Sequence, residues 1–457
     1  MKETGDGLTK IQVAQFQVPT TTPTVEEQAP TQQVLKKDLK FEYVLDTEVE
    51  IPYRRNADLD SRLRDNSLIV MPSLFGRATY RAKDWLETKL LLTLEKQFAV
   101  HEENIVTLPD GSLQRADPKP WSLYIDEMYA RFKPSSVPIE FTLGRRNFED
   151  ARRWLYDETL DAAILTLKPG DFHIEASVSR LDWVDLDLIA EVPRGKIDNY
   201  LVYAEYRGIE DHKLAGYWFL REDNTRLAPG SDAISEEGEP QFMGFRAYGR
   251  PSDAFNYWTE FGYLGGKDEF ARDFSGAGAL DVGGTYRFLD APLQPSVTLG
   301  FRYGSGDRNP DDNKNSEFRQ TGLQTNEQRF GGVTQFITYG EVFNPELSNL
   351  KIFTAGLGLR PKANFFIDLV YHRYWLNEFA DEVRGQALTA EMNQLESRLS
   401  TDVGSELDII LGIRNLFGVR GFGFEARGGV FFPGAAFDRS DGREPDLGTS
   451  VLIKFVY

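Results

Sequence analysis

Nine basic side chains stand out for where they fall in the sequence. Arg77, Arg145, Arg246, Arg302, Arg360, Arg427 and Lys454 lie in stretches that alternate polar with apolar residues, and Arg152 and Arg153 close a charged run that begins at Arg145 and includes Arg146, Glu149 and Asp150. Cations gathered in a narrow aqueous passage raise the local concentration of anions. The arginine fork suits carboxylates in particular, because two N–H groups meet two oxygens. These nine residues are therefore candidates for the lining of a pore that conducts acidic solutes. The alternative is that each pairs with a carboxylate on a neighbouring strand and holds the wall, as Glu425 beside Arg427 and Asp408 near Arg414 suggest. Trp154 and Tyr156, next to the charged run, offer flat faces on which sugar rings stack.

Other chemistry is poorly served. The four histidines (His101, His173, His212, His372) are scattered, and no metalloprotease, serine-hydrolase or phosphate-loop motif occurs. Asp157, Glu158 and Asp161 could be read as paired carboxylates for glycoside hydrolysis, which keeps a membrane-embedded enzyme as the weaker alternative. The run from Asp307 to Asn313 carries oxygen ligands of the kind calcium takes, but Asp312 stands where a calcium loop needs glycine. There is no cysteine, so a disulfide framework, a thiol nucleophile and a cysteine-held zinc are all excluded. No cofactor and no metal is expected. With 52 Lys+Arg against 71 Asp+Glu the formal charge is −19, which argues against a nucleic-acid partner.

The elements that would position the nine cations are strands. Period-2 alternation begins near residue 39 and runs to the last residue. Phe41, Tyr43, Leu45, Val49 and Ile51 share one face against Glu42, Asp46, Glu48 and Glu50, and Val451, Ile453, Phe455 and Tyr457 repeat the pattern at the end. Eighteen such segments can be drawn, from 39–52 to 447–457. Their connections alternate long and short, with 101–120, 182–196, 223–239, 305–349 and 377–402 among the long ones. Outer-membrane barrels have this asymmetry, with short turns on the periplasmic side and long extracellular loops. The expected fold is all-β, an 18-stranded antiparallel transmembrane β-barrel over 39–457, preceded by a flexible periplasmic tail over 1–38 that is rich in Thr, Pro, Gln and Glu. One face of the strands is apolar (Leu92, Phe301, Leu369, Ile409) and should meet lipid. The other carries charges of both signs and should be wet, at Thr298 and Gly300 as elsewhere.

Short motifs in a fixed order sharpen this. Gln320-Thr321-Gly322-Leu323, Tyr339-Gly340-Glu341, Glu346-Leu347-Ser348-Asn349-Leu350, Val370-Tyr371-His372-Arg373-Tyr374-Trp375, Glu406-Leu407-Asp408 and Arg427-Gly428-Gly429 resemble the alginate-export outer-membrane porin family, as do Leu143-Gly144-Arg145 and Trp154 to Asp161 upstream. The resemblance implies a monomeric barrel in the bacterial outer membrane that exports an anionic, alginate-like exopolysaccharide or oligosaccharide, with the lipid bilayer and a periplasmic secretion component as partners. A general or substrate-specific solute porin is the alternative. Arg145 and Arg427 match family arginines, whereas Met71, Thr338 and Asn344 stand at three other pore-arginine positions. The turn at Leu416–Arg420 is short where the family has a long periplasmic one.

Overall fold

A computed structural model describes residues 41–457, except 63–65, 83–84, 103–104, 108–112, 116–120, 135, 182, 185–186, 190–195, 225–237, 331–333, 391, 393–398 and 440–441. The tail expected over 1–38 lies outside the described residues.

Eighteen strands form one antiparallel sheet. They are β1 (Phe41–Arg55), β2 (Ser67–Ala82), β3 (Leu86–Glu95), β4 (Ser122–Phe132), β5 (Ile139–Glu149), β6 (Asp157–Leu167), β7 (Phe172–Arg180), β8 (Ile197–Ile209) and β9 (His212–Asp223). The second half comprises β10 (Glu239–Ser252), β11 (Phe255–Lys267), β12 (Ala277–Arg287), β13 (Ser296–Gly304), β14 (Leu350–Lys362), β15 (Phe365–Leu376), β16 (Asp402–Ile413), β17 (Gly423–Pro433) and β18 (Gly448–Val456). Each pairs with the next, and β18 returns to β1 with Ile51 opposite Ile453. Closure leaves no bare edge at the ends of the sheet, which is the condition for a sheet to sit in hydrocarbon.

The alternation sets the two faces. Leu143, Phe245, Phe261, Leu299, Leu357, Leu369 and Ile409 are exposed on the outside of the wall. Their inward neighbours Glu260, Asp281, Arg302, Asp368, Glu406 and Asp408 are buried. The two-residue turn at Glu210–Asp211 and its counterparts at 253–254 and 363–364 gather at the same end as the last strand terminus. The connections 305–349 and 377–401 lie at the other end.

Candidate functional site: a lumen occupied by its own loop

The long connection 305–349 does not stay outside the barrel. It enters the lumen on a series of aromatic anchors. Phe318 stacks on Trp154 at 6.0 Å, Phe330 stacks on Trp258 at 5.9 Å and Phe336 meets Phe330 edge-on at 4.9 Å. Phe343 stacks on Phe431 at 5.1 Å and meets Tyr374 edge-on at 5.0 Å. Gly262 of β11 makes the first of these possible, since a Cβ there would stand 2.8 Å from the Trp154 ring and 3.2 Å from Phe318.

Polar contacts fix the loop's height. The Val342 and Phe343 N–H groups donate to the Glu406 carboxylate at 2.7 and 3.0 Å. The shorter connection 150–156 lies beside it. Trp154 Nε1 donates to the Tyr339 hydroxyl at 2.9 Å, and that hydroxyl donates to Asp281 at 3.2 Å. Gln320 Nε2 donates to the Trp154 carbonyl at 3.1 Å, and the Asn326 N–H to the Arg153 carbonyl at 3.0 Å. A polar cavity of about 350 Å³ opens on the loop, lined by Gln324, Asn326, Glu327, Asn344 and Glu346 among others.

The structure gives the nine candidate cations different places. Arg246 and Arg302 are fully buried. Arg246 is held by Asp150 at 3.0 Å and Glu260 at 2.9 Å. Arg302 lies 3.3 Å from Asp281, with its guanidinium over the Tyr339 ring. Arg152 pairs with the same Asp281 at 2.7 Å, Arg77 faces Asp46 at 3.8 Å and Arg360 pairs with Asp368 at 2.9 Å. Apart from Arg152, which seats the connection 150–156, each of these has a carboxylate on a neighbouring strand, the wall-pairing alternative raised by the sequence. Arg145 needs a larger correction. It shares the outward face of β5 with Phe141 and Leu143, opposite the exposed Met128, so it does not face the lumen. Its partner there is Asp161, bound through both guanidinium edges at 2.8 and 2.9 Å.

The remaining three come together at the edge of the inserted loop. Arg427 projects inward from β17 and is met by Glu327 at 2.7 Å, by Glu341 at 3.5 Å and by the Gln335 carbonyl at 3.1 Å. All three of these partners belong to the loop. Glu327 also pairs with Arg153 at 3.0 Å, while Arg153 is held in turn by Glu149 at 2.6 Å. Lys454 of β18 lies within electrostatic range of Glu327 and pairs with Glu48 and Glu50 at 2.7 and 3.1 Å. Burial would raise the Glu327 carboxyl, but the Arg427 and Arg153 guanidiniums hold it below its usual range. Burial dominates at Glu341 and pushes its carboxyl up to about 7 against the pull of Arg427.

Glu327 and Glu341, the carboxylates that meet Arg427, could not be found from strand alternation, because they lie in a loop. A signal was present nonetheless. Phe318, Phe330, Phe336, Tyr339 and Phe343 are too many large aromatics for a loop left in water. Among the described residues, no cluster of three or more acidic or histidine side chains forms a metal site.

Comparison with known proteins agrees with this architecture. A solved outer-membrane protein, OpdK from Pseudomonas aeruginosa, superposes with a TM-score of 0.55 over 91% of this chain and 98% of its own, at 11% identity. OccAB2 from Acinetobacter baumannii does so with a TM-score of 0.56 over 91% and 98%, at 13% identity. Identities this low speak to the fold alone. In sequence, the alginate production protein AlgE of Azotobacter vinelandii is 28% identical over 157 residues, 34% of this chain and 31% of that protein. AlgE of Pseudomonas aeruginosa is 27% identical over 190 residues, 38% of each chain. The matched part of the chain thus spans about a third of the length of these curated relatives. The family model described as alginate export matches residues 33–447. A closed 18-stranded barrel with this family match places the protein in the bacterial outer membrane, and the chain belongs to the alginate export family.

Proposed function

We propose that the protein is an outer-membrane channel that exports an acidic polysaccharide of the alginate kind, and that the luminal loop holds the conducting site shut with two of its own carboxylates. The observation that carries this reading is Glu327, seated between Arg427 at 2.7 Å and Arg153 at 3.0 Å. A uronate unit of a polymer presents the same group to the same forks, and bidentate or bridging carboxylate binding is what arginine does best. Glu341 takes a second position on Arg427. When the loop withdraws, it takes with it the Glu327, Glu341 and Gln335 contacts to Arg427, and the guanidinium becomes available to cargo. The conducting residues in this reading are Arg153, Arg427 and Lys454. The barrel closes within one chain, which supports a monomer, and a periplasmic secretion partner would dock at the short-turn end.

A second reading is a porin for small carboxylate solutes. It is favoured by the size of the 350 Å³ cavity, which suits one ring rather than a polymer, and by a likeness of fold to OpdK solved with vanillate, with a TM-score of 0.54 at 12% identity. Single channels in a planar bilayer separate the two. Oligomers of uronic acid should interrupt the current, with residence times that lengthen with chain length, while neutral oligosaccharides of equal size leave it unchanged. Interruption by vanillate alone, with none by uronate oligomers, would reject the polysaccharide reading in favour of the solute porin.

A further inference from the structure

The wall is not uniformly paired. Strand β4 carries a bulge at Asp126, where its register with β3 jumps from Leu91–Glu127 to Leu92–Ile125. A bulge bends its strand and re-aims the residues beyond it. The ladder of β4 with β5 accordingly runs only from Phe132–Phe141 to Met128–Arg145. β5 itself continues, paired to β6 as far as Glu149–Asp157. Among the described residues, β4 and β5 share no ladder beyond Met128–Arg145, on the long-loop side.

Part of the β7–β8 connection fills this seam. Asp187 bridges to Tyr124 of β4, the Leu188 N–H donates to the Leu123 carbonyl at 2.9 Å, and the Leu123 N–H donates to the Asp187 carboxylate at 3.2 Å. Beneath it lies the Arg145–Asp161 pair. Asp161 also accepts the N–H groups of Trp183 and Val184 at 2.8 and 2.9 Å. Arg145 donates to the Ile125 carbonyl at 3.4 Å and to the Val184 carbonyl. One outward ion pair therefore ties together β4, β5, β6 and the connection crossing over them. Gly144 lets the strands close this tightly, since at its φ of +121° a Cβ would stand 2.2 Å from the Met128 carbonyl oxygen.

The outer side of the crossing segment is apolar. Trp183, Val184, Leu188 and Ile189 are 48%, 50%, 55% and 57% exposed. They sit where the apolar band of the wall runs short. On β5 the outward series Ile139, Phe141, Leu143 ends at Arg145. On β7 the series Phe172, Ile174, Ala176, Val178 ends at Arg180. We propose that Trp183, Val184, Leu188 and Ile189 belong to a strap on the outside of the barrel whose partner is the hydrocarbon of the outer leaflet. The strap continues the lipid-facing band across the seam and keeps a charge pair and two strand edges out of the lipid. Half-exposed apolar side chains are stabilised there and not in water, and backbone groups facing hydrocarbon must be covered.

The chain contains no cysteine, so a single one can be placed and labelled cleanly. Leu188→Cys with a spin label, in vesicles, should collide with oxygen and be shielded from a water-soluble nickel chelate. It should match Leu143→Cys on the wall and differ from Asp311→Cys in an exposed loop. Oxidation of Tyr124→Cys/Asp187→Cys in intact membranes should cross-link strap to strand in most molecules. Chelate accessibility at position 188 equal to that at 311 would show an ordinary solvated extracellular loop and overturn the proposal. So would failure of the cross-link in a barrel that runs as folded on a gel.

Discussion

Replacing Phe343 by alanine should unseat the luminal loop and leave the wall standing. The ring is fully buried between Tyr374 at 5.0 Å and Phe431 at 5.1 Å, so it is an anchor of the loop against β15 and β17. Removing a phenylalanine from a packed interior costs about 3–5 kcal/mol. At about 1.4 kcal/mol per power of ten, the docking equilibrium should shift by roughly two to three and a half powers of ten. The strands behind it keep their ladders, with Leu369 still opposite Ile409 and Leu407 opposite Val430. Single-channel recording reads the difference. Wild type should show a small, steady conductance, and Phe343→Ala a larger, fluctuating one, while heat-modifiable gel mobility stays that of a folded barrel. Unchanged currents accompanied by a lowered unfolding midpoint would show instead that Phe343 supports the wall and not a movable loop.

Further outcomes rest on the same geometry. Glu341 is raised from 4.5 to about 7 in the docked loop. A raised carboxyl favours docking fully below its solvated value, and that contribution is lost as pH rises through about 7. The open fraction should therefore grow between pH 5 and pH 8, and Glu341→Gln should flatten the profile; a wild-type profile already flat would contradict the assignment. Leu369→Arg, on the lipid face, should cost ~2–4 kcal/mol in vesicle unfolding, against almost nothing for Ala363→Arg in a short turn; equal costs would deny the membrane-facing surface. Trp154→Phe removes the donor to the buried Tyr339 hydroxyl and should weaken loop seating by ~1–3 kcal/mol, visible as more frequent current fluctuations at unchanged barrel stability.

The wall was legible in the sequence and the contents of the lumen were not. Alternation reports which face a residue occupies, because successive side chains point to opposite sides. It therefore located the strands and, through the long and short gaps, their two ends. It cannot report what stands opposite an inward residue. Arg302 and Glu260 look equally fit for water or for a packed loop, and the structure buries both. Thr298, expected to be wet, instead shares a hydrogen bond of 2.8 Å with Thr285, and the Arg302 guanidinium lies 3.1 Å from where a Cβ on Gly300 would be. Arg145 shows a different limit. Strict alternation from Phe141 and Leu143 puts it outside, and only the strap over it makes an outward arginine tolerable. Phe318, Phe343, Trp183 and Leu188, which seat the luminal loop and cover the seam, lie in connections between strands, whose tertiary placement no local pattern encodes.

In the proposed function Glu327 occupies the place of a cargo carboxylate between Arg427 and Arg153, with Glu341 beside it on Arg427. The direct measurement is the concentration of uronate oligomer that half-blocks single channels, in wild type, in Glu327→Gln and in Arg427→Gln. Glu327→Gln should lower this concentration by about tenfold, as removal of a competing charge-assisted pair worth ~1–2 kcal/mol requires, and Arg427→Gln should raise it. Equal half-blocking concentrations in all three proteins, or block by neutral oligomers as strong as by uronates, would contradict it.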